Sequence, residues 1–460
     1  MKDQQKDGAL EQAEMFKRRR SEIPDAERLQ TLQTNLYQKA KEEKGFKFYV
    51  LYDKLLIPYV LREAWLRVKA LDSAAGIDGL KVSDIEASGV AEFVEEIKED
   101  LRKQTYKPQP IKRIYILKAN GKERPIGISC IRDRVVQMAC KLIIEPIYEA
   151  DFEDCSHGFR PGCSSAGAIK EIRDHLQNGK TEVYDADLTA YFDTIPHNKL
   201  YAVLRERIAD TRMQKLIDKF LKAPVQEGGN MKGGKNNKTG VPQGGVISPL
   251  LANIYMNLVD KSVNRKESIF EKTGTKIVRY ADDFVLMSAK LTTQTLERLQ
   301  GLLNRMGLSL NKEKSRQIAA TTEMFDFLGF SFRYDDDLKG RDKQYLNIFP
   351  SRKSLNKVKE KLRATLHSKL HYAKPAIVSE LNSILRGWLN YFEVENVSYT
   401  AKAKRDLRKY LRDALYQYYN RKSQRKSSLY GQQAFEVLVK NYNLIDPTKY
   451  KLRRQPYKPR

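Results

Sequence analysis

Tyr280-Ala281-Asp282-Asp283 carries most of what this chain says about itself. The four residues stand between two apolar runs, Ile277-Val278 and Phe284-Val285-Leu286-Met287. That pattern predicts a strand, a tight turn and a second strand, with two adjacent carboxylates at the tip. Two acids held together repel one another unless a cation sits between them. Their hard oxygens suit Mg²⁺, which keeps part of its water and completes its shell from a substrate phosphate. An isolated Asp-Asp pair is more often a solvated turn. This pair has company elsewhere in the chain.

Upstream lies Val183-Tyr184-Asp185-Ala186-Asp187-Leu188, followed by Thr189-Ala190-Tyr191-Phe192-Asp193. Side chains alternate with period two along a strand, so Asp185 and Asp187 share a face. An acid ending this strand can meet the turn acids across a sheet. Three carboxylates would then hold two Mg²⁺ ions, roughly 4 Å apart, that clamp the attacking and leaving oxygens of an in-line phosphoryl transfer. Such chemistry needs no histidine or cysteine, and the chain has only five histidines and four cysteines.

Composition points the same way. Lysine and arginine number 84 against 58 acids, a formal charge of +26. An excess of that size marks a polyanionic partner. It is concentrated: residues 351–460 hold 26 basic and 8 acidic side chains, +18 of the total. The 25 tyrosines supply stacking surfaces for bases. No run of about 18 apolar residues occurs, so no membrane span is expected. The N-terminal Met1–Asp7 is too polar for a secretory signal. Cys130, Cys140, Cys155 and Cys163 have no Cys-x-x-Cys spacing and read as reduced thiols of a cytoplasmic protein.

Further stretches follow a recognisable order. They are Ala75–Gly79, Ile116–Pro125, His157–Pro161, Asp187–Asp193, Gly240–Leu251, Tyr280–Asp283, Leu308–Ser315 and Phe327–Phe330, ending in Leu385–Phe392. In this set and order the chain resembles the reverse transcriptase–maturases encoded by bacterial group II introns. The resemblance implies an α+β right-hand polymerase, fingers and palm, with a C-terminal α-helical thumb/maturase region. It also implies an RNA-directed DNA polymerase that copies intron RNA and assists its splicing. The expected partners are the intron RNA, an RNA template with a DNA primer, dNTPs and target DNA. Two alternatives stay open: a splicing-only RNA-binding protein, and a related enzyme recruited to phage defence or CRISPR spacer acquisition.

The resemblance also assigns roles. Asp187, Asp282 and Asp283 become the ligands of two Mg²⁺ ions, with the Leu188 carbonyl as a backbone ligand, and Asp185 is structural. Lys118 and Arg124, flanking Asn120-Gly121, would hold the incoming triphosphate; Lys122 at the same tip is a rival. Phe192 would lie under the sugar and exclude a 2′-hydroxyl. Gln243, in a glycine-rich turn, would contact the nucleotide and template pair. Lys314 would protonate the leaving pyrophosphate, with Lys312 as its rival. Phe327–Phe330 would support the primer end.

Five segments are expected: an N-terminal basic, partly helical extension over 1–48, fingers over 49–182, palm over 183–335, a helical thumb/maturase domain over 336–420, and a basic tail over 421–460. The tail is basic, Pro-containing and less periodic, whereas Gln226–Thr239 is Gly/Lys/Asn-rich and reads as an exposed loop. Lys17-Arg18-Arg19-Arg20 either touches RNA or is a solvated turn. No histidine or cysteine follows His371, so the endonuclease module of many relatives is expected to be absent. Three apolar stripes at helical spacing predict three C-terminal helices. On the third, Lys402, Lys404, Arg405, Arg408 and Lys409 are the expected RNA contacts.

Overall fold

The computed structural model describes residues 23–117, 121, 123–337, 343–370, 372–420 and 427–452. Lys118, Lys122 and the Lys17–Arg20 run lie outside the described residues. The fold is α+β, as expected, and rests on three sheets.

The central sheet has the order β6-β7-β3-β8, from Lys276–Tyr280, Asp283–Ser288, Glu182–Ala186 and Arg316–Ala319. Every neighbouring pair is antiparallel. Along β7 successive side chains go to different cores. Phe284 and Leu286 join one apolar cluster, while Val285 and Met287 join another. All four are fully buried. The unbroken apolar run is thus a strand covered on both faces. The first cluster packs the helices Ile131–Glu149 and Ser248–Asn264 against one face. The second packs the helix Ser165–Gln177 and the C-terminal helices toward the other.

The helix Ile131–Glu149 is buried on nearly every side, with the helices Asp25–Glu42 and Pro58–Lys69 packed against it. Beside these helices stands a second sheet, β2-β1-β4-β5, from Glu123–Ile128, Ile111–Leu117, Pro224–Glu227 and Asn230–Gly233. β1 and β2 pair antiparallel, from Lys112 with Ile128 to Leu117 with Glu123. The stretch read as an exposed loop is in part a hairpin, β4–β5, and β4 pairs parallel to β1. Its turn is Gly228-Gly229, both at positive φ, the geometry that a two-residue hairpin turn favours and that glycine adopts at no steric cost. The stretch before that hairpin forms two helices, His197–Arg205 and Thr211–Leu221. Asp210 starts the second, accepting from Arg212 N and Met213 N, and also from Leu51 N and Tyr52 N.

The third sheet, β11-β10-β9, comes from Gln344–Pro350, Phe330–Asp336 and Phe325–Phe327. The three expected C-terminal helices follow as Arg352–Ser368, Lys374–Phe392 and Ala401–Tyr419. Trp388 and Phe392 are buried among them. A fourth helix, Ala434–Tyr442, was not expected. It is short and is held by docking Phe435 and Leu438 into the second cluster rather than by a long stripe.

Candidate active site

Strand register assembles the site. Ala186 pairs with Phe284 across β3 and β7, so the next step sets Asp187 beside Asp283. Tyr280 pairs with Asp283, which makes Ala281-Asp282 a two-residue turn. The loop after the helix Thr293–Met306 holds Asp187 from behind. Asn311 N donates to Asp187 O at 2.8 Å, and Asp187 N donates to Ser315 Oγ at 3.1 Å. Of the two lysines in that loop, Lys314 reaches the acid, with Nζ 3.0 Å from Asp187 Oδ2. Leu188 is buried and bridges to Leu310.

The turn is strained. Ala281 has φ +60°, a region that a residue with a Cβ seldom adopts. It is held by a buried network that the sequence reading missed. Arg279, completely buried, forms an ion pair with Asp260 and donates to Ala281 O at 2.8 Å. Asn253 Nδ2 donates to Gly158 O at 2.7 Å. Gly158 lies so close beneath the turn that a Cβ there would run into Ala281 N. One signal was available: Arg279 shares the inward phase of β6 with Ile277, where a charge demands a buried partner.

The carboxyl of Asp283 is pushed up to about 6, by burial first and then by Asp282, Asp187 and Asp185, with Lys314 opposing. The residue keeps a solvent-facing edge, so water relieves part of the burial effect and the crowded acids are the durable cause. Asp185 is also pushed up to about 6, by burial, against the pull of Arg316. Among the described residues, no three histidine, cysteine or acidic side chains converge tightly enough to cage a metal by themselves. The donor set nevertheless fits Mg²⁺: all are hard carboxylate oxygens that repel one another, and this ion takes its remaining ligands from water and substrate phosphate.

The expected nucleotide side is also partly assembled. Arg124 Nε donates to Gln243 Oε1 at 3.4 Å, and Gln243 Nε2 donates to Asp193 Oδ2 at 3.3 Å. Phe192, half-buried against the first cluster, anchors the Gln243 loop by accepting from Val241 N at 2.6 Å. Asp193 was not singled out from sequence, and it joins the two. Lys118 lies outside the described residues.

Residues 116–332 match the family model for reverse transcriptase (RNA-dependent DNA polymerase), and residues 355–432 match the maturase-specific domain of group II introns. The group II intron-encoded protein LtrA of Lactococcus lactis subsp. cremoris is 33% identical over 327 residues, 70% of this chain and 52% of LtrA. Protein YkfC of Escherichia coli (strain K12) is 36% identical over 288 residues, 55% of this chain and 74% of YkfC. This chain belongs to the group II intron-encoded reverse transcriptase–maturase family. It spans about half the length of LtrA and three quarters of YkfC.

As a member of that family the chain has the palm-and-fingers polymerase fold. In the maturase-specific domain the five expected RNA contacts divide. Lys402, Arg405 and Lys409 are exposed. Lys404 is buried in an ion pair with Glu393, and Arg408 pairs with Asp446 at 3.2 Å and covers the ring of Phe435. Among the described residues no helix is long and apolar enough to cross a membrane.

Proposed function

We propose that this chain is an RNA-directed DNA polymerase that copies its intron RNA from a DNA primer at the target site, and a maturase that steadies the same RNA for splicing. The observation that carries the reading is the meeting of Asp187 with Asp282-Asp283 through strand register. A protein that only bound RNA would have no use for such a set.

In this reading residues 49–182 are fingers, 183–335 palm, 336–420 thumb and maturase surface, with basic segments over 1–48 and 421–460. Asp187, Asp282, Asp283 and the Leu188 carbonyl hold two Mg²⁺ ions, which when bound favour the primer alkoxide and stabilise the charge passing to pyrophosphate. Arg124, with Lys118, grips the triphosphate, since guanidinium matches phosphate bidentately. Phe192 closes the space where a 2′-hydroxyl would stand. Gln243 orients the nucleotide against its template. Lys314, ion-paired with Asp187, gives a proton to the leaving group.

The test is DNA synthesis on a primed RNA template with Mg²⁺. The wild type extends the primer, and Asp282→Asn/Asp283→Asn abolishes extension while RNA binding stays within about threefold, because metal ligands rather than phosphate contacts are removed. Full activity in the double variant would refute the site.

A further inference from the structure

We propose that Arg279 is a positioning residue for nucleotidyl transfer, setting the backbone of the turn that carries Asp282 and Asp283. This rests on the polymerase reading above.

All five guanidinium hydrogens are used. Nε and Nη2 go to the Asp260 carboxylate, Nη2 also to Ser156 Oγ at 2.7 Å, and Nη1 to Asn253 Oδ1 and Ala281 O, both at 2.8 Å. Arg279 and Asp260 are each 0% exposed, so the pair neutralises itself and adds no counter-charge to the acids. Nor is stability a sufficient reason for it, because a buried ion pair often gains nothing over two apolar side chains. What an apolar pair cannot supply is the donor on Ala281 O, at the one strained residue between β6 and the acids. The backbone of Arg279 is clamped as well. Its N–H donates to Cys155 O, and its carbonyl accepts from His157 N, both at 2.8 Å.

The network has a second end. Asn253 and Asp260 belong to the helix Ser248–Asn264, whose N-terminus follows directly on the Gln243 loop. One rigid helix therefore joins the nucleotide-side loop to the metal-ligand turn, and Arg279 is the joint. A displacement of about 1 Å at such a turn costs catalysis up to about a hundredfold.

The experiment compares Arg279→Lys and Asn253→Ala with wild type in the full chain. Lysine keeps the charge for Asp260 but concentrates its donors at one point, so it cannot also span to Ala281 O. Asn253→Ala leaves the ion pair intact and removes one brace of the turn. Tyr148→Phe, which deletes a buried hydrogen bond to Leu204 O, controls for lost stability. Expected are a fall in kcat of roughly ten- to a hundredfold for Arg279→Lys, a several-fold higher Mg²⁺ concentration for half-maximal rate in both turn variants, and little change in KM for dNTP. The Mg²⁺-induced rise in Tm, read without turnover, shifts to higher concentration in parallel. If Arg279→Lys fails to fold, Asn253→Ala alone decides. The proposal is overturned if the folded variants keep the wild-type Mg²⁺ requirement, or if Tyr148→Phe shifts it equally. An inactive wild type would instead strike the polymerase reading.

Discussion

Phe192 stands on the short helix Tyr191–Thr194, with Tyr191 fully committed to the core and Phe192 only partly buried against it. An aromatic needed only for packing would be buried like its neighbour. Phe192→Ala should therefore raise incorporation of NTP relative to dNTP by roughly ten- to a hundredfold, the scale of a steric filter in a tight pocket. Primer extension with each nucleotide alone measures this, and an unchanged ratio leaves Phe192 as packing. Asp283 supports a second prediction. Its carboxyl is raised in the fold, so the metal-free folded chain holds a proton that the unfolded chain releases between about pH 4 and pH 6. Metal-free stability then falls as pH rises through that window and levels off above it. Metal binding needs the ionised carboxylate, so Mg²⁺ should raise Tm at pH 7 and hardly at pH 5. Asp283→Asn should raise the metal-free Tm at pH 7 and remove most of the Mg²⁺ response. A thermal melt at both pH values checks each sign.

At the scale of the element, the helix Ala401–Tyr419 separates two uses of positive charge. Lys402, Arg405 and Lys409 recur at intervals of three and four and share one solvent face. Lys404 and Arg408 are tied to Glu393 and Asp446 and hold the helix to its surroundings. Replacing the first three by glutamine should lower the slope of log K against log salt by about two to three, one unit or slightly less per lost phosphate contact. Lys404→Gln should leave the slope alone and lower Tm. Filter binding of intron RNA across a salt series, beside a melt, separates the two. Equal slope changes in both variants would dissolve the distinction. The same helix shows the limit of periodicity: spacing located its apolar stripe, but Glu393 and Asp446 come from other segments, and no local pattern announces a long-range ion pair. The β4–β5 hairpin was missed for another reason. Its Gly228-Gly229 turn was visible, yet its strands have few apolar residues and form by pairing with β1.

Across the whole molecule, what was legible followed from alternation and order. The apolar runs around Asp282-Asp283 and the acid ending β3 are local patterns, and the fold joins them by simple antiparallel pairing. What stayed hidden depends on contacts between distant segments: Arg279 with Asp260, Gln243 with Asp193, the helix Ala434–Tyr442 with the cluster that holds it. The two-faced strand β7 carries a further consequence. Sliding it by one residue against β3 would exchange the side chains owed to the two cores and at the same step carry Asp283 away from Asp187. Correct pairing and a working catalytic centre are thus one condition. Misassembled molecules are inert rather than sluggish or error-prone copyists, and the specific activity of a refolded preparation counts its correctly folded molecules.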